Sequence, residues 1–190
     1  MTIDHHTGME EALFHALNSD GGALLDAFSV ILSARWFVVV VGTTVLGTIL
    51  LAGGPRRREL LLAFGLALVF SDTLGAQVLR PLIGRMRPCF ALPPGTFRWL
   101  APASDVGSLP SLHAANFFAM AFVTWSTIRG AGLVALGVAA AVAWSRVHVG
   151  VHWPSDVLAG AVWGASCATA ALWLARWAVG RASSSGRSGK

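Results

Sequence analysis

The sequence predicts an all-α fold: an integral membrane helical bundle of about five transmembrane helices, with an amphipathic interfacial helix at its amino-terminal end. Three observations support this prediction. The chain is 55% hydrophobic and 12% charged, and its mean hydropathy is +0.65, which is unusual for a soluble domain. Five apolar segments approach the roughly 20 residues that a spanning helix needs. An amphipathic segment precedes them.

The amino-terminal segments are expected to lie at the membrane surface. Met9–Asn18 places Leu13, Phe14 and Leu17 on one helical face, as in a surface-lying helix. The segment Ala23–Ser33 is apolar but too short to span a membrane easily, so we predict that it is interfacial.

The predicted spans then follow in chain order: Trp36–Ala52, Glu59–Leu79, Ala114–Ile128, Ala131–Trp144 and Pro154–Ala175. Six spans are the alternative to five. A sixth span would move the amino terminus to the cytoplasm and would leave the later connections on the same sides of the membrane. The bundle is expected to form a single domain over residues 1–179. Residues 180–190 are rich in Ser and Gly, and we predict a disordered tail there. The two cysteines, Cys89 and Cys167, are not expected to pair.

Three polar clusters occupy the ends of these spans. They are Arg80-x6-Arg87-Pro88, Pro110-Ser111-Leu112-His113 and Ser145-Arg146-x5-His152-x3-Asp156. With five spans, the connections alternate sides, so all three clusters fall on one face of the membrane. The long connection from Cys89 to Leu109 lies on the same face and is expected to form a lid or rim.

The positive-inside rule suggests which face this is. Eight Lys and Arg residues fall on the opposite side and six on the cluster side. When Arg80, Arg87 and Arg146 are assigned to a site, three remain on the cluster side, which places the clusters on the extracytoplasmic face of the cell (inner, cytoplasmic) membrane. The net charge of +5 is explained by orientation and a phosphate site, and nucleic acid binding is not expected.

The residue types in the clusters suit phosphoryl transfer. Arginine forks bind phosphoryl oxygens in pairs and keep their charge near a bilayer. Asp156 lies one helical turn after His152, where it can orient that ring as a nucleophile. His113 is then available to protonate the leaving oxygen. Taken singly, each cluster also fits a plainer interpretation, as a headgroup anchor or a helix start, but all three would have to coincide.

The three clusters resemble the signature of the type 2 phosphatidic acid phosphatase superfamily, usually written K-x6-R-P, P-S-G-H and S-R-x5-H-x3-D. The resemblance implies that His152 forms a phosphohistidine, that Asp156 orients it and that His113 is the general acid. It also implies that the phosphate is held by Arg80, Arg87, Ser111 and Arg146, with no cofactor and no metal. Ser145, His148 and Leu112 are candidates for supporting positions around the site.

Two positions depart from the family pattern. Arg80 replaces the usual lysine and keeps its charge. Leu112 replaces the usual glycine, so the backbone there approaches phosphate less closely or turns differently. A Pro-Ser-Leu-His sequence also resembles that of lipid phosphotransferases within the superfamily.

The small size of the chain resembles bacterial undecaprenyl diphosphate phosphatases, and that lipid is the expected substrate and partner in the bilayer. Phosphatidylglycerophosphate, phosphatidate and lipid A are the alternative substrates, and transfer of the phosphoryl group to another lipid is the alternative reaction. Two alternative functions are not enzymatic. The protein could bind a lipid without turning it over, or it could be a small transporter that uses Asp72 and Gln77. The sequence leaves the oligomeric state open.

Overall fold

A computed structural model describes residues 7–103 and 106–185. This part of the chain is mostly helical and contains no strand, only an isolated bridge between Met86 and Gly107. The helices are α1 (Gly8–Leu17), α2 (Gly22–Ser33), α3 (Arg35–Ala52), α4 (Arg57–Val69), α5 (Arg80–Ile83), α6 (Pro88–Ala91), α7 (Leu112–Thr127), α8 (Arg129–His148) and α9 (Pro154–Ser185). A 3-10 turn, Gly54–Arg56, precedes α4, and a π-helical segment, Phe70–Leu79, joins α4 to α5. The predicted fold class is confirmed.

Four helical stretches in the described part of the chain are long and apolar enough to cross a membrane: Arg35–Ala52, Gly54–Ile83, Arg129–His148 and Pro154–Ala182. They contain four of the five predicted spans. The remaining predicted span corresponds to α7, which has 16 residues. This helix lies inside the bundle and packs chiefly against α8 and α9. Its buried side chains include Phe117, Met120 and Val123.

Two glycines on α9 allow α7 to approach closely. A Cβ atom at Gly160 would lie 2.5 Å from the carbonyl oxygen of Ser111, and one at Gly164 would lie 2.0 Å from that of Ala115. Side chains larger than hydrogen would therefore separate the two helices. Small residues four apart permit this kind of backbone contact in membrane bundles. The contact fixes the start of α7 against the start of α9.

The π-helical segment makes a second close contact with α7. A Cβ atom at Gly75 would lie 2.5 Å from Cδ2 of Leu112. The same segment carries Asp72, which accepts a hydrogen bond from Nδ2 of Asn116 at 3.0 Å. Asp72 therefore pairs with the neighbouring helix. π-Helical turns within α-helices occur often at functional sites.

One aromatic side chain of the amino-terminal helix is buried in the bundle. Phe14 is fully buried, and its ring lies 5.2 Å from that of Trp153 and 6.2 Å from that of Phe97. Leu13 on the same helix is half exposed. Helix α1 thus has one face on the protein and apolar groups left for the membrane surface.

The carboxyl-terminal helix extends further than the last predicted span. Helix α9 continues to Ser185, so it covers the first six residues of the segment that the sequence predicts to be disordered. Residues 186–190, the rest of that segment, lie outside the described residues.

Candidate active site

The three polar clusters meet at one cavity of about 710 Å³. Arg80 begins α5, Arg87 precedes α6, and Arg146 lies in the last turn of α8. Five of the residues that the sequence singles out for catalysis or phosphate binding line this cavity: Arg80, Arg87, His113, Arg146 and His152. Residues separated by up to 72 positions in the sequence are therefore brought to one space.

His152 lies in the loop between α8 and α9 and is 1% exposed. Its Nδ1 atom is 3.2 Å from Oδ2 of Asp156, one turn into α9. Because a carboxylate accepts and does not donate, this contact assigns the ring proton to Nδ1. The lone pair of the opposite nitrogen, Nε2, then faces Nη1 of Arg87 at 2.8 Å. The ring is held in the orientation that a nitrogen nucleophile needs.

Several donors fix Asp156 itself. Its Oδ2 atom also accepts hydrogen bonds from the backbone N–H of Trp153, at 2.8 Å, and from the Ser108 hydroxyl. Its Oδ1 atom accepts from Nη1 of Arg85 at 2.8 Å. The carboxylate is fully buried. This number of donors keeps a buried charge stable in a nonpolar environment.

Three of the four arginines that line the cavity are each oriented by a backbone carbonyl. Arg80 donates from Nε to Pro110 O at 3.2 Å, Arg87 from Nη1 to Val151 O at 2.9 Å, and Arg146 from Nη1 to Ser33 O at 3.1 Å. A carbonyl bond fixes the direction of a guanidinium without neutralising its charge. The cavity therefore presents concentrated positive charge, which suits an anionic group.

The start of α7 adds two polar atoms. Oγ of Ser111 and Nε2 of His113 are buried, and neither has a hydrogen-bond partner within the described ranges. The backbone N–H of Ser111 donates to the Asp156 carbonyl at 3.0 Å, which joins the starts of α7 and α9. Two buried, unpartnered polar atoms are uncommon in a native protein and are a feature of functional sites.

Burial is the largest influence on the charge state of His152, followed by the positive charges of Arg87 and Arg146. Together they lower the pKa of His152 well below its ordinary value. The ring is therefore neutral at physiological pH, so Nε2 carries a lone pair, which accepts from Arg87 until a phosphoryl group takes the place of that donor.

Two of the candidate supporting residues do not face the cavity. The Ser145 hydroxyl contacts Oγ of Ser33 at 3.0 Å and the Val142 carbonyl at 2.7 Å. His148 is buried in a separate polar network, with Nδ1 3.0 Å from Leu17 O and Nε2 3.1 Å from Oδ1 of Asp26. Its role is therefore to tie α8 to the amino-terminal helices. Leu112, the third candidate, does line the cavity.

The sequence did not single out several polar residues near the site, among them Arg85, Ser108 and Arg35. Arg85 and Ser108 both bond to Asp156, and Arg35 lines the cavity. An arginine just after a predicted span is usually a headgroup anchor, but Arg85 is only 4% exposed. Its position two residues before Arg87 was the one available signal, since the sequence alone gives no partner for it. The connection from Cys89 to Leu109 also contributes Ala101 and Pro102 to the cavity, as expected of a rim.

Comparison with known proteins agrees with the family resemblance of the three clusters. The family profile described as the PAP2 superfamily matches residues 59–179. The chain is 41% identical over 66 residues to the putative undecaprenyl-diphosphatase YbjG of Escherichia coli. The matched region covers 34% of this chain and 32% of that protein. It is 33% identical over 107 residues to a lipid A 4'-phosphatase of Bacteroides thetaiotaomicron, covering 54% of this chain and 48% of that protein. The chain thus matches about a third to a half of the length of these relatives.

A solved structure shares the fold. The crystal structure of Aquifex aeolicus LpxE superposes with a TM-score of 0.69 at 24% identity, covering 90% of this chain and 99% of that one. At this identity the likeness concerns the fold alone.

Proposed function

The chain belongs to the PAP2 superfamily, and on that premise we propose that it is an integral membrane lipid phosphatase that works through a phosphohistidine on His152. The observation that carries the proposal is the geometry of that ring. Nδ1 is bonded to Asp156, and Nε2 faces a cavity that three motif arginines line.

The first chemical step transfers the phosphoryl group to the protein. Nε2 of His152 attacks phosphorus, and the bond from phosphorus to the leaving oxygen breaks. His113 gives its proton to that oxygen, and Asp156 stabilises the positive charge that develops on the imidazole. Arg80, Arg87 and Arg146 neutralise the equatorial oxygens, which supplies the charge stabilisation that phosphoryl transfer needs.

The second step regenerates the ring. A water molecule loses a proton to the now neutral His113 and attacks phosphorus. The bond between phosphorus and Nε2 breaks, and inorganic phosphate leaves. Ser111, whose hydroxyl lies at the start of α7, supplies a further donor to the phosphoryl oxygens, along with the positive end of that helix.

A lipid is the favoured class of substrate because the cavity has an apolar side. Val30, Val38, Val39 and Ala76 line it next to the arginines. Val39 is 64% exposed on the surface of α3, where the protein would meet acyl or prenyl chains. A headgroup can therefore enter while its tail remains in the bilayer.

Within that class, undecaprenyl diphosphate is the substrate that we favour. Arg35 at the start of α3 lines the cavity together with the three motif arginines, and its guanidinium has no hydrogen-bond partner among the described residues. A fourth cation suits a second phosphate group better than a monoester. Lipid A, phosphatidylglycerophosphate and phosphatidate remain the alternatives to be compared.

The site is proposed to face the extracytoplasmic side. Three arginines on the opposite side, Arg56, Arg129 and Arg176, surround one surface pocket, and the run Arg56–Arg58 lies beside it. This concentration of positive charge is typical of a cytoplasmic face.

A substrate panel tests the proposal. Purified protein in lipid vesicles is given undecaprenyl diphosphate, lipid A, phosphatidylglycerophosphate and phosphatidate, and free phosphate is measured. We expect release to be fastest from the prenyl diphosphate and to be lost in His152→Ala. Phosphorylated lipid in place of free phosphate would identify a transferase, and equal release by His152→Ala would overturn the mechanism.

A further inference from the structure

The amino-terminal helix reaches the proposed catalytic carboxylate through one buried arginine. Nη2 of Arg85 lies 2.5 Å from Oε2 of Glu10 on α1, and its Nη1 lies 2.8 Å from Oδ1 of Asp156. Asp156 in turn bonds to Nδ1 of His152. Glu10, Arg85, Asp156 and His152 therefore form a continuous chain of hydrogen bonds from the protein surface to the cavity.

The members of this chain are shielded from solvent. Side-chain exposure is 15% for Glu10, 4% for Arg85 and 0% for Asp156. Charges buried in this way act on each other more strongly than surface charges do. Glu10 is further held by Ser155, whose backbone N–H donates to Oε1 at 3.1 Å.

Glu10 carries its negative charge at neutral pH. Burial raises the pKa of its carboxyl, but the hydrogen bonds from Ser155 and the charge of Arg85 together lower it by more, so the net pKa lies below the usual value. Two carboxylates thus share one guanidinium. With a neutral His152 ring, the set Glu10, Arg85 and Asp156 has a net charge of −1.

We propose that Glu10 is a positioning residue for the phosphoryl transfer reaction and acts on His152 through Arg85 and Asp156. The inference rests on the proposed phosphohistidine mechanism. When Nε2 attacks phosphorus, the imidazole becomes positive. The net charge of −1 on Glu10, Arg85 and Asp156 stabilises the positive imidazole. Without Glu10, the charge of Arg85 would cancel that of Asp156, and this stabilisation would be weaker.

The competing interpretation is that Glu10 merely attaches α1 to the bundle. Attachment has a separate basis, because Phe14 of the same helix is fully buried against Trp153. Loss of attachment would disturb the stability of the protein or its affinity for lipid. Loss of the charge effect would lower kcat and leave KM nearly unchanged.

The experiment compares Glu10→Gln with Glu11→Gln in the full-length protein, assayed on the best substrate of the panel. Glu11 neighbours Glu10 on α1 and contacts His15 at the surface, so it serves as a matched control. We expect Glu10→Gln to lower kcat about tenfold with KM within about twofold, while Glu11→Gln stays near wild type. Glu10→Asp is expected to restore part of the loss, since it returns the charge.

A double-mutant cycle with Arg85→Gln separates the chain of contacts from independent effects. If Glu10 acts through Arg85, the Glu10→Gln change has less than about a twofold effect once Arg85→Gln is present. Thermal unfolding in detergent monitors folding. Ser155→Ala removes the hydroxyl contacts with both Glu10 and Arg85 and is a milder second test if Glu10→Gln unfolds.

The outcomes are distinct. If wild type releases no phosphate from any lipid, the proposed function fails. If wild type is active and both Glu10→Gln and Ser155→Ala match it, the inference fails while the function stands. A loss of kcat in Glu10→Gln that persists undiminished in the Arg85→Gln background also overturns it.

Discussion

Nη1 of Arg87 lies 2.8 Å from Nε2 of His152. Arg87 is held there by its bond to the Val151 carbonyl, one residue before the histidine. The cation and the proposed nucleophile are therefore fixed relative to each other, and a phosphoryl group on Nε2 would have its oxygens beside the guanidinium.

The first prediction concerns this fixed arginine. Arg87→Lys keeps the charge but cannot bind the Val151 carbonyl and two phosphoryl oxygens at once. We expect kcat to fall by about 10²–10³-fold. Steady-state phosphate release measures it, and Arg57→Lys, an exposed arginine on the other side of the bundle, is the control. Wild-type kcat in Arg87→Lys would contradict the proposed role.

The pH dependence follows from the environment of His152. Attack needs the neutral ring, and the lowered pKa of His152 keeps it neutral as the pH falls through about 6.5, the ordinary imidazole value. The acidic limb of kcat/KM should therefore lie below pH 6.5. An alkaline limb is expected in kcat, because His113 must carry a proton to give to the leaving oxygen and the bound phosphate anion favours that proton. An acidic limb centred at or above pH 6.5 would count against this assignment.

The third prediction tests how the chain accommodates the leucine in its second cluster. Gly75→Ala places a methyl group within 2.5 Å of Cδ2 of Leu112, and such overpacking costs about 1–3 kcal/mol. The melting temperature in detergent should fall, and Leu112→Ala added to Gly75→Ala should restore most of it.

Gly65→Ala is the matched control for this pair, since a Cβ atom there meets nothing within 4 Å. If Gly75→Ala melts at the same temperature as Gly65→Ala, Leu112 moves aside at little cost and the contact does not limit the packing of this segment.

The fourth prediction concerns the choice of headgroup. Arg35→Gln should lower kcat/KM for a prenyl diphosphate about tenfold more than for the corresponding monophosphate, because it removes one cation from a second phosphate group. Arg57→Gln is expected to leave the ratio unchanged. An equal loss on both substrates would mean that Arg35 does not distinguish them.

Most of the fold could be predicted because hydropathy and helix length are properties of local sequence. The five predicted spans correspond to α3, the α4 and π-helical stretch, α7, α8 and α9. The π-helical geometry could not be predicted. Local hydropathy does not distinguish a π-helical turn from an α-helical one, and the contact of this segment with α7 joins Gly75 and Leu112, which are 37 positions apart.

The candidate site was predictable where the spacing of residues is informative. His152 and Asp156 are four apart, so a helical turn already places them together. Arg85 and Ser108 were missed because their contacts with Asp156 bridge 71 and 48 positions. His148 shows the reverse case: it lies one turn before His152 in the sequence, yet its ring faces Asp26 and Leu17.

The most direct test of the account is to trap the phosphorylated protein. Wild-type protein is mixed with lipid diphosphate, quenched in alkali within one turnover, digested and analysed by mass spectrometry. The phosphohistidine mechanism predicts one phosphoryl group on the peptide that contains His152, and none there in His152→Ala. Release of phosphate by the wild type with no phosphorylated His152 at any time within the turnover, or undiminished release by His152→Ala, would contradict it.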